Sequence, residues 1–507
     1  MLSPLSEPVV QSDLLEQEQP EQTGQGTSPP GRLQQAASAL ALSHAVLPTN
    51  RTNPKAPRLP ARQPPLPQRI PMLTRYLRSV HAQLTTTADE ALAASYAAEW
   101  LLDNFYAVEQ ALRQVAEDLP LHYYQQLPKL GAPAALIGYP RVYAIARAFL
   151  AFEEYQFDLE RFVRFVLAYQ QQNPLTMGEG WALPILLRFV LLEDLALAAQ
   201  RVAGLTDAQS YDSIERTSTL EDGEVVATAI PTLRQLDTQD WQSFFERVNI
   251  VHDMLCGDPA GLYAQMDFTT RNHYRTQIEQ LAAAANVSEV EVTETVVELA
   301  QAAYTATTRV SGAIGTRFGE AESDLDLTLP RACHVGYYLL DGGRTQVAAR
   351  TRYRPTGWTR LQQRILHHPT PIYLGGITLF ALLILALVVG YGVRAGASAW
   401  GLTGILLLTL VPALTLAVNF INWLVTHTLP PHSLPKLDFS DGIPAQCRTV
   451  VVTPALIASK SDVTTLFNEL EQHYLRNPDP YLAFALLSDF SDAPAQTMPE
   501  DAALLEQ

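Results

Sequence analysis

Cysteine is scarce in this chain. Cys256, Cys333 and Cys447 are far apart and odd in number, and no CxxC or Cys/His cluster occurs. This argues against a disulfide framework or a zinc site and fits a reducing compartment. A basic surplus is also missing. The formal net charge is −17, so nothing would displace counterions from a phosphate backbone and no nucleic-acid partner is expected. The stretch from Glu7 to Glu21 is acidic and polar, with no basic segment leading into an apolar one, so no secretory signal peptide is expected. Nor is there a GxxxxGK(S/T) phosphate loop, a GxGxxG after a strand, an HExxH or a GxSxG. Asp103, Glu109, Asp258 and Asp267 fall among helical stripes and turns without a pairing for acid–base work. His367 and His368, set among arginines, read as an interfacial pair and not as a metal site.

Two long apolar runs are present, Ile372–Val393 and Leu402–Val425, and neither holds an acidic residue, Lys or Arg. About 20 such residues, at roughly 1.5 Å each, cross a hydrocarbon core of about 30 Å. A transmembrane helix pair is therefore expected over 371–427, with the lipid bilayer as partner. Arg350, Arg352, Arg354, Arg360 and Arg364 precede the first run, and only Arg394 lies between the runs. That asymmetry puts the N-terminal flank in the cytoplasm, and a second crossing returns the chain there, so both termini are expected to be cytoplasmic. Within the second run, Pro412, Asn419 and Asn422 read as helix-packing positions in preference to a transport path.

The remainder is expected to be mainly α. Residues 1–72, rich in Gln, Pro, Ser and Ala with seven prolines from Pro54 to Pro71, read as a disordered leader. Residues 73–310 read as a helical cytoplasmic domain. Its first clear stripe is Leu101, Phe105, Val108, Leu112 and Val115. Thr176 and Glu179 match a capping box, which gives Glu179 a structural role, and Ser288 with Glu291 matches another. Gly204–Pro231 reads as a long exposed connection. Residues 311–370 read as a linker carrying a short β-hairpin, Val335–Leu340 turning at Asp341-Gly342-Gly343 onto Thr345–Ala349, and then the Arg-rich juxtamembrane segment. Residues 428–507 read as the beginning of an α/β domain. There, strand Arg448–Pro454, helix Ser461–Leu475 and strand Leu482–Leu487 make one βαβ unit. Ligands of such units sit beyond the C-terminal strand ends, here Thr453 and Asp489. Asp489 is equally readable as a turn residue satisfying its own loop.

Several strings add to this reading. Ala97–Tyr106 (AAEWLLDNFY), Leu127–Leu130, Gly138–Tyr143, and Pro174–Thr176 leading to Trp181–Pro184 resemble the cyclic β-1,2-glucan synthases. So do Asp258-Pro259, Tyr263–Arg271, His334–Leu339, Tyr373–Gly376, Asn422–Val425, Leu437–Pro444 and Phe484–Phe490, in the same order, from about residue 95 to 507. The resemblance implies a very large enzyme of the bacterial inner membrane, multi-pass, polymerising glucose from UDP-glucose through β-1,2 linkages with a divalent metal. It further implies that 428–507 opens a GT-A-like glycosyltransferase domain, with glycoamylase-like and phosphorylase-like domains belonging to the complete enzyme. The family's metal-binding DxD pair, later catalytic Asp and QxxRW motif belong beyond the second strand, so no catalytic or metal-binding residue carries over and no cofactor is assigned within this chain. What carries over is a UDP-sugar contact at Asp489, with Thr453 and Pro454 on the first strand's exit.

The expectation is thus the N-terminal, membrane-anchoring part of a cyclic β-1,2-glucan synthase, from a truncated or split gene, inactive alone and completed by the remaining glycosyltransferase polypeptide. The alternative is a non-catalytic membrane scaffold that binds a separately encoded glycosyltransferase subunit. Two uncharged spans fit glucan transport poorly.

Overall fold

Apolar residues recurring at three- and four-residue steps favour helix, and the computed structural model is mainly helical. It describes residues 30–46, 64–86, 96–132, 136–203, 220–314, 329–353, 357–429, 431, 434–492, 494–495, 498–499 and 501–506. The chain divides into two compact units at Ile250.

The first unit holds α1 (Pro30–Ser43), α2 (Leu66–Thr86), α3 (Tyr96–Asp103), α4 (Phe105–Asp118), α5 (Leu121–Gln126), α6 (Arg141–Phe152), α7 (Leu159–Gln170), α8 (Met177–Val202), α9 (Asp222–Asp237) and α10 (Trp241–Val248). Its axis is α8, apolar around its circumference and therefore enclosed; α2, α4, α6 and α9 pack on it. The expected stripe is buried from Leu101 to Val115, although Asn104 interrupts it between α3 and α4 and donates its Nδ2 to the Trp100 carbonyl at 3.0 Å. The capping box is present: Thr176 Oγ1 accepts from Glu179 N–H, and Glu179 accepts from Thr176 N–H.

Two expectations fail here. Residues 30–43 and 66–72 of the presumed leader are helical, while 1–29 and 47–63 lie outside the described residues. Composition misled because its Gln, Ser, Ala and Pro content hides a periodic pattern. Leu33, Ala37 and Ala41 of α1 are buried, and so are Leu66, Ile70, Leu73, Leu77, Val80 and Leu84 of α2, at steps of four and three. Pro67 falls in the first turn of α2, where its missing N–H costs nothing. Likewise, residues 222–231 of the presumed connection belong to α9, which Glu221 and Glu224 start with a reciprocal cap; residues 204–219 lie outside the described residues.

The second unit runs through α11 (Ile250–Cys256, its first residue on the division), α12 (Phe268–Ala285), α13 (Glu289–Ile314), α14 (Val335–Leu340), α15 (Arg344–Arg350), α16 (Gly357–His367), α17 (Pro369–Arg394), α18 (Ala399–Thr428), β1 (Thr449–Ile457), α19 (Lys460–Arg476), β2 (Leu482–Phe490) and α20 (Asp501–Leu505). Ser288 caps α13 by accepting from Glu291 N–H at 3.1 Å. The expected hairpin is α14 and α15 instead. Val335, Tyr338 and Leu339 are buried together, a spacing that one helix face supplies and one strand face does not. Packing against α12 and α13 overrides the β-propensity of that string. Among its described residues the linker is mostly helical too, since residues 311–314 complete α13 and α16 precedes the first apolar helix; residues 315–328 and 354–356 lie outside the described residues.

Two helices, α17 with 26 residues and α18 with 30, are long and apolar enough to cross a membrane. They pack on each other through small residues. Ala381, Ala413 and Ala417 are buried between them, and a Cβ on Gly392 would lie 2.9 Å from Leu402. Asn422 accepts from the Tyr373 hydroxyl at 2.8 Å, in keeping with a packing role.

Inside α8, Glu193 is almost fully buried against Arg69 of α2 at 2.6 Å, and the Tyr143 hydroxyl of α6 donates to it at 2.5 Å. Burial, then the Glu193 charge, pushes the Tyr143 hydroxyl well above its ordinary range, so it stays a donor. Removing one partner of such a pair strands a charge. Glu193→Ala should therefore lower stability by about 3–5 kcal/mol in denaturant unfolding, whereas Arg69→Met with Glu193→Leu should cost far less. Equal costs for the two variants would contradict this account.

Candidate functional site

The sequence-predicted site lies at the two-stranded sheet. β1 and β2 are parallel, in register from Thr449 opposite Leu482 to Ile457 opposite Phe490, and α19 packs on both. Both strands run further than expected. Thr453 and Pro454 face Leu486 and Leu487 in mid-ladder, not on an exit loop. Pro454 lacks an N–H, yet β1 continues past it to Ile457, as an edge strand permits. Asp489 does lie near the C-terminal end of β2, opposite Leu456, and its Oδ1 accepts from Phe490 N–H at 2.8 Å. The exit of β1 is Ala458-Ser459, where Ser459 caps α19 by accepting from Asp462 N–H and Asp462 Oδ2 accepts from Ala458 N–H at 3.3 Å. Thus the group beside Asp489 at the strand ends is the Ser459–Asp462 turn, which the Ser-x-x-Asp spacing makes readable as a cap. Among the described residues, no three His, Cys, Asp or Glu side chains gather to hold a metal ion, so they offer no set for the divalent ion that the resemblance implies.

The family-like strings come together elsewhere, as buried polar clasps. In the second unit, Asp258 Oδ2 lies 2.7 Å from His334 Nδ1, its Oδ1 accepts from Val335 N–H at 3.1 Å, and Oδ2 also accepts from the N–H groups of Leu262 and Tyr263. The other His334 nitrogen lies 3.1 Å from the Tyr274 hydroxyl. A hydroxyl, an imidazole and a carboxylate in line have the parts of a proton relay. The hydroxyl end is closely packed: Tyr274 is 1% exposed, and a Cβ on Gly336 would lie 2.2 Å from its hydroxyl oxygen. The cluster is a clasp that explains why Gly must stand at 336. Nearby, Met266 bridges Leu437, Asp267 N–H donates to the Lys436 carbonyl at 3.0 Å and Asp438 N–H to the Gln265 carbonyl at 2.8 Å. That strap ties two strings more than 150 residues apart in the chain, across the apolar helices.

In the first unit, Arg141 grips Glu179 with Nε at 2.6 Å and Nη2 at 2.7 Å, and Nη2 also donates to the Pro174 carbonyl. The string Leu127–Leu130 pairs with Gly138–Arg141 through Leu130 N–H to the Tyr139 carbonyl at 2.9 Å and Arg141 N–H to the Pro128 carbonyl at 3.2 Å. Lys129 Nζ donates to the Tyr124 carbonyl at 2.7 Å and sits 3.4 Å above that ring; burial pulls its ammonium down to about 7, against the opposing pull of Glu179. Of the other sequence candidates, Glu109 pairs with Arg78 at 3.0 Å, Asp267 caps α12, and the rings of His367 and His368 touch edge to face.

His44 Nδ1 lies 2.8 Å from the Tyr169 hydroxyl. Burial, and then the Arg141 charge, lowers His44 from 6.5 to about 4. Between those values the unfolded chain binds a proton that the folded chain refuses, so stability drops as pH falls through that window and is untouched by His44 above it. The loss should be on the order of 3 kcal/mol. Thermal unfolding at stepped pH should show a shallower acid loss in His44→Gln than in the parent chain; equal slopes would rule His44 out.

No family model matches the chain. It is 30% identical over 492 residues to the cyclic beta-(1,2)-glucan synthase NdvB of Rhizobium meliloti (strain 1021), an alignment covering 83% of this chain and 17% of that protein. The chain thus spans less than a fifth of the length of the curated relative it matches. With a match along most of its length, the chain belongs to the cyclic β-(1,2)-glucan synthase family and corresponds to one stretch of such a protein.

Proposed function

We propose that this chain is the membrane-anchoring part of a cyclic β-1,2-glucan synthase that transfers glucose from UDP-glucose to a growing glucan. The observation that carries the reading is the 30% identity across 83% of the chain. In this reading α17 and α18 cross the bacterial inner membrane, and the sequences on either side of the pair share the cytoplasmic face, where the sugar nucleotide is. Arg350, Arg352, Arg360 and Arg364 on one flank, against Arg394 between the spans, support that orientation.

In the same reading, the β1–α19–β2 unit is part of a GT-A-like sugar-nucleotide domain. Parallel strands are ordinarily covered on both faces, yet Val450, Val451, Val452 and Leu487 are exposed. That exposure supports a larger sheet into which the two strands fit. Asp489 then contacts the UDP-sugar at the strand ends, with Thr453 and Pro454 setting the β1 backbone behind it. The carboxylates that would perform transfer, on the resemblance, belong to the rest of that sheet.

Membranes carrying only these 507 residues are therefore expected to leave labelled UDP-glucose unpolymerised. In a synthase that contains this stretch, Asp489→Ala should raise the KM for UDP-glucose several-fold. Label entering β-1,2-glucan in the first assay would overturn the anchoring role, and an unchanged KM in the second would remove Asp489 from the site. Topology has its own check. Cys256 and Cys447 flank the helix pair and are not fully buried; both should react with a membrane-impermeant maleimide in inside-out vesicles only. Labelling from opposite faces would defeat the two-crossing arrangement.

A further inference from the structure

Between Asp341 and Asp438 the chain has no Asp or Glu at all, although its formal net charge is −17. That acid-free stretch contains the two apolar helices and, just before them, α16 (Gly357–His367). At 100° per residue, Trp358, Leu361 and Ile365 share one side of α16 with Leu366 at its margin, while Arg360, Arg364 and His367 share the other. The apolar side is uncovered: Trp358 is 54% exposed, Leu361 47% and Leu366 60%. The arginines of α16 have no carboxylate within the helix to neutralise them.

The position of α16 is fixed by contacts. It packs against α17, and Gln362 Nε2 donates to the carbonyl of Thr428, the last residue of α18, at 3.2 Å. It therefore sits at the end of the helix pair where α17 begins and α18 finishes. The matching cover is apolar on one side and anionic on the other, continuous with whatever surrounds α17 and α18. A second protein chain would have to supply both chemistries by design. A leaflet of acidic phospholipid supplies both by its nature, with acyl chains beneath the Trp358 face and phosphates beside the guanidinium groups.

We propose that α16 is an interfacial helix that gathers anionic phospholipid headgroups at the entrance of the helix pair. This rests on the reading that α17 and α18 span the bilayer. The test uses the full chain, reconstituted into phosphatidylcholine vesicles doped with spin-labelled phosphatidylglycerol or spin-labelled phosphatidylcholine. The immobilised fraction of each label is read by electron paramagnetic resonance. The parent chain should favour the phosphatidylglycerol label by roughly three- to tenfold. Arg360→Gln with Arg364→Gln should bring the ratio close to one, and Arg350→Gln with Arg352→Gln, outside α16, should leave it near the parent value. An undiminished preference in the Arg360/Arg364 variant, equal losses in both variants, or no preference in the parent would each overturn the proposal. Alkaline carbonate washing distinguishes the underlying reading: a parent chain that washes off the vesicles defeats the transmembrane assignment itself, whereas one that stays while showing no lipid preference defeats only the role of α16.

Discussion

Glu179 is the charge around which the first unit is arranged. It is fully buried, and a carboxylate removed from water must be held by hydrogen-bond donors or it costs several kcal/mol. Arg141 supplies two, and the Thr176 N–H supplies another. Arg141 also donates to the Pro174 carbonyl and its charge acts on Tyr169, whose hydroxyl lies 2.8 Å from Nδ1 of His44, just past the end of α1. One buried charge thus links the start of α8 to residues far before it in sequence. A pair of this kind contributes little net stability, since desolvation offsets attraction. Its effect is selective: any packing that separates α6 from the start of α8 leaves two charges without partners. Arg69 and Glu193 impose the same condition further along α8.

Local signals in the sequence account for much of this. The Thr176–Glu179 box, the Leu101–Val115 stripe, the apolar pair and the β–α–β order each depend on neighbours within a few residues, and each is present. Elements whose identity depends on distant packing were not legible. Val335–Leu340 carries strand-forming residues but is helical because Asp258 receives the Val335 N–H and α13 receives the Tyr338 hydroxyl. α1 and α2 are masked by composition: α1 by its Gln, Ser and Ala, and α2 by its prolines, of which Pro71 stands inside the helix. At the candidate site both strands are longer than the sequence suggests: β1 continues three residues past Pro454 and β2 three past Leu487. Pro454 breaks a ladder only where its missing N–H is needed, and among the described residues β1 has a neighbour on one side only, so its proline can face the open edge.

The strings that carry the family likeness are mostly structural. Arg141, Glu179, Asp258, His334, Gly336 and the Gln265–Asp438 strap all hold backbone or buried charge. What the likeness preserves is the way remote segments are joined, here including a strap from Asp267 to Lys436 that brackets both apolar helices.

That strap bears on how the sheet is carried. Lys436 is tied to Thr270 and Asp267 on α12, and Ile443 N–H donates to Asp479 just ahead of β2 at 2.8 Å. The chain leaving α18 is thus fastened at one end to α12, before the apolar pair, and at the other to the loop that feeds β2. Fastened at both ends, it has its connection to α12 set by hydrogen bonds instead of by tether length.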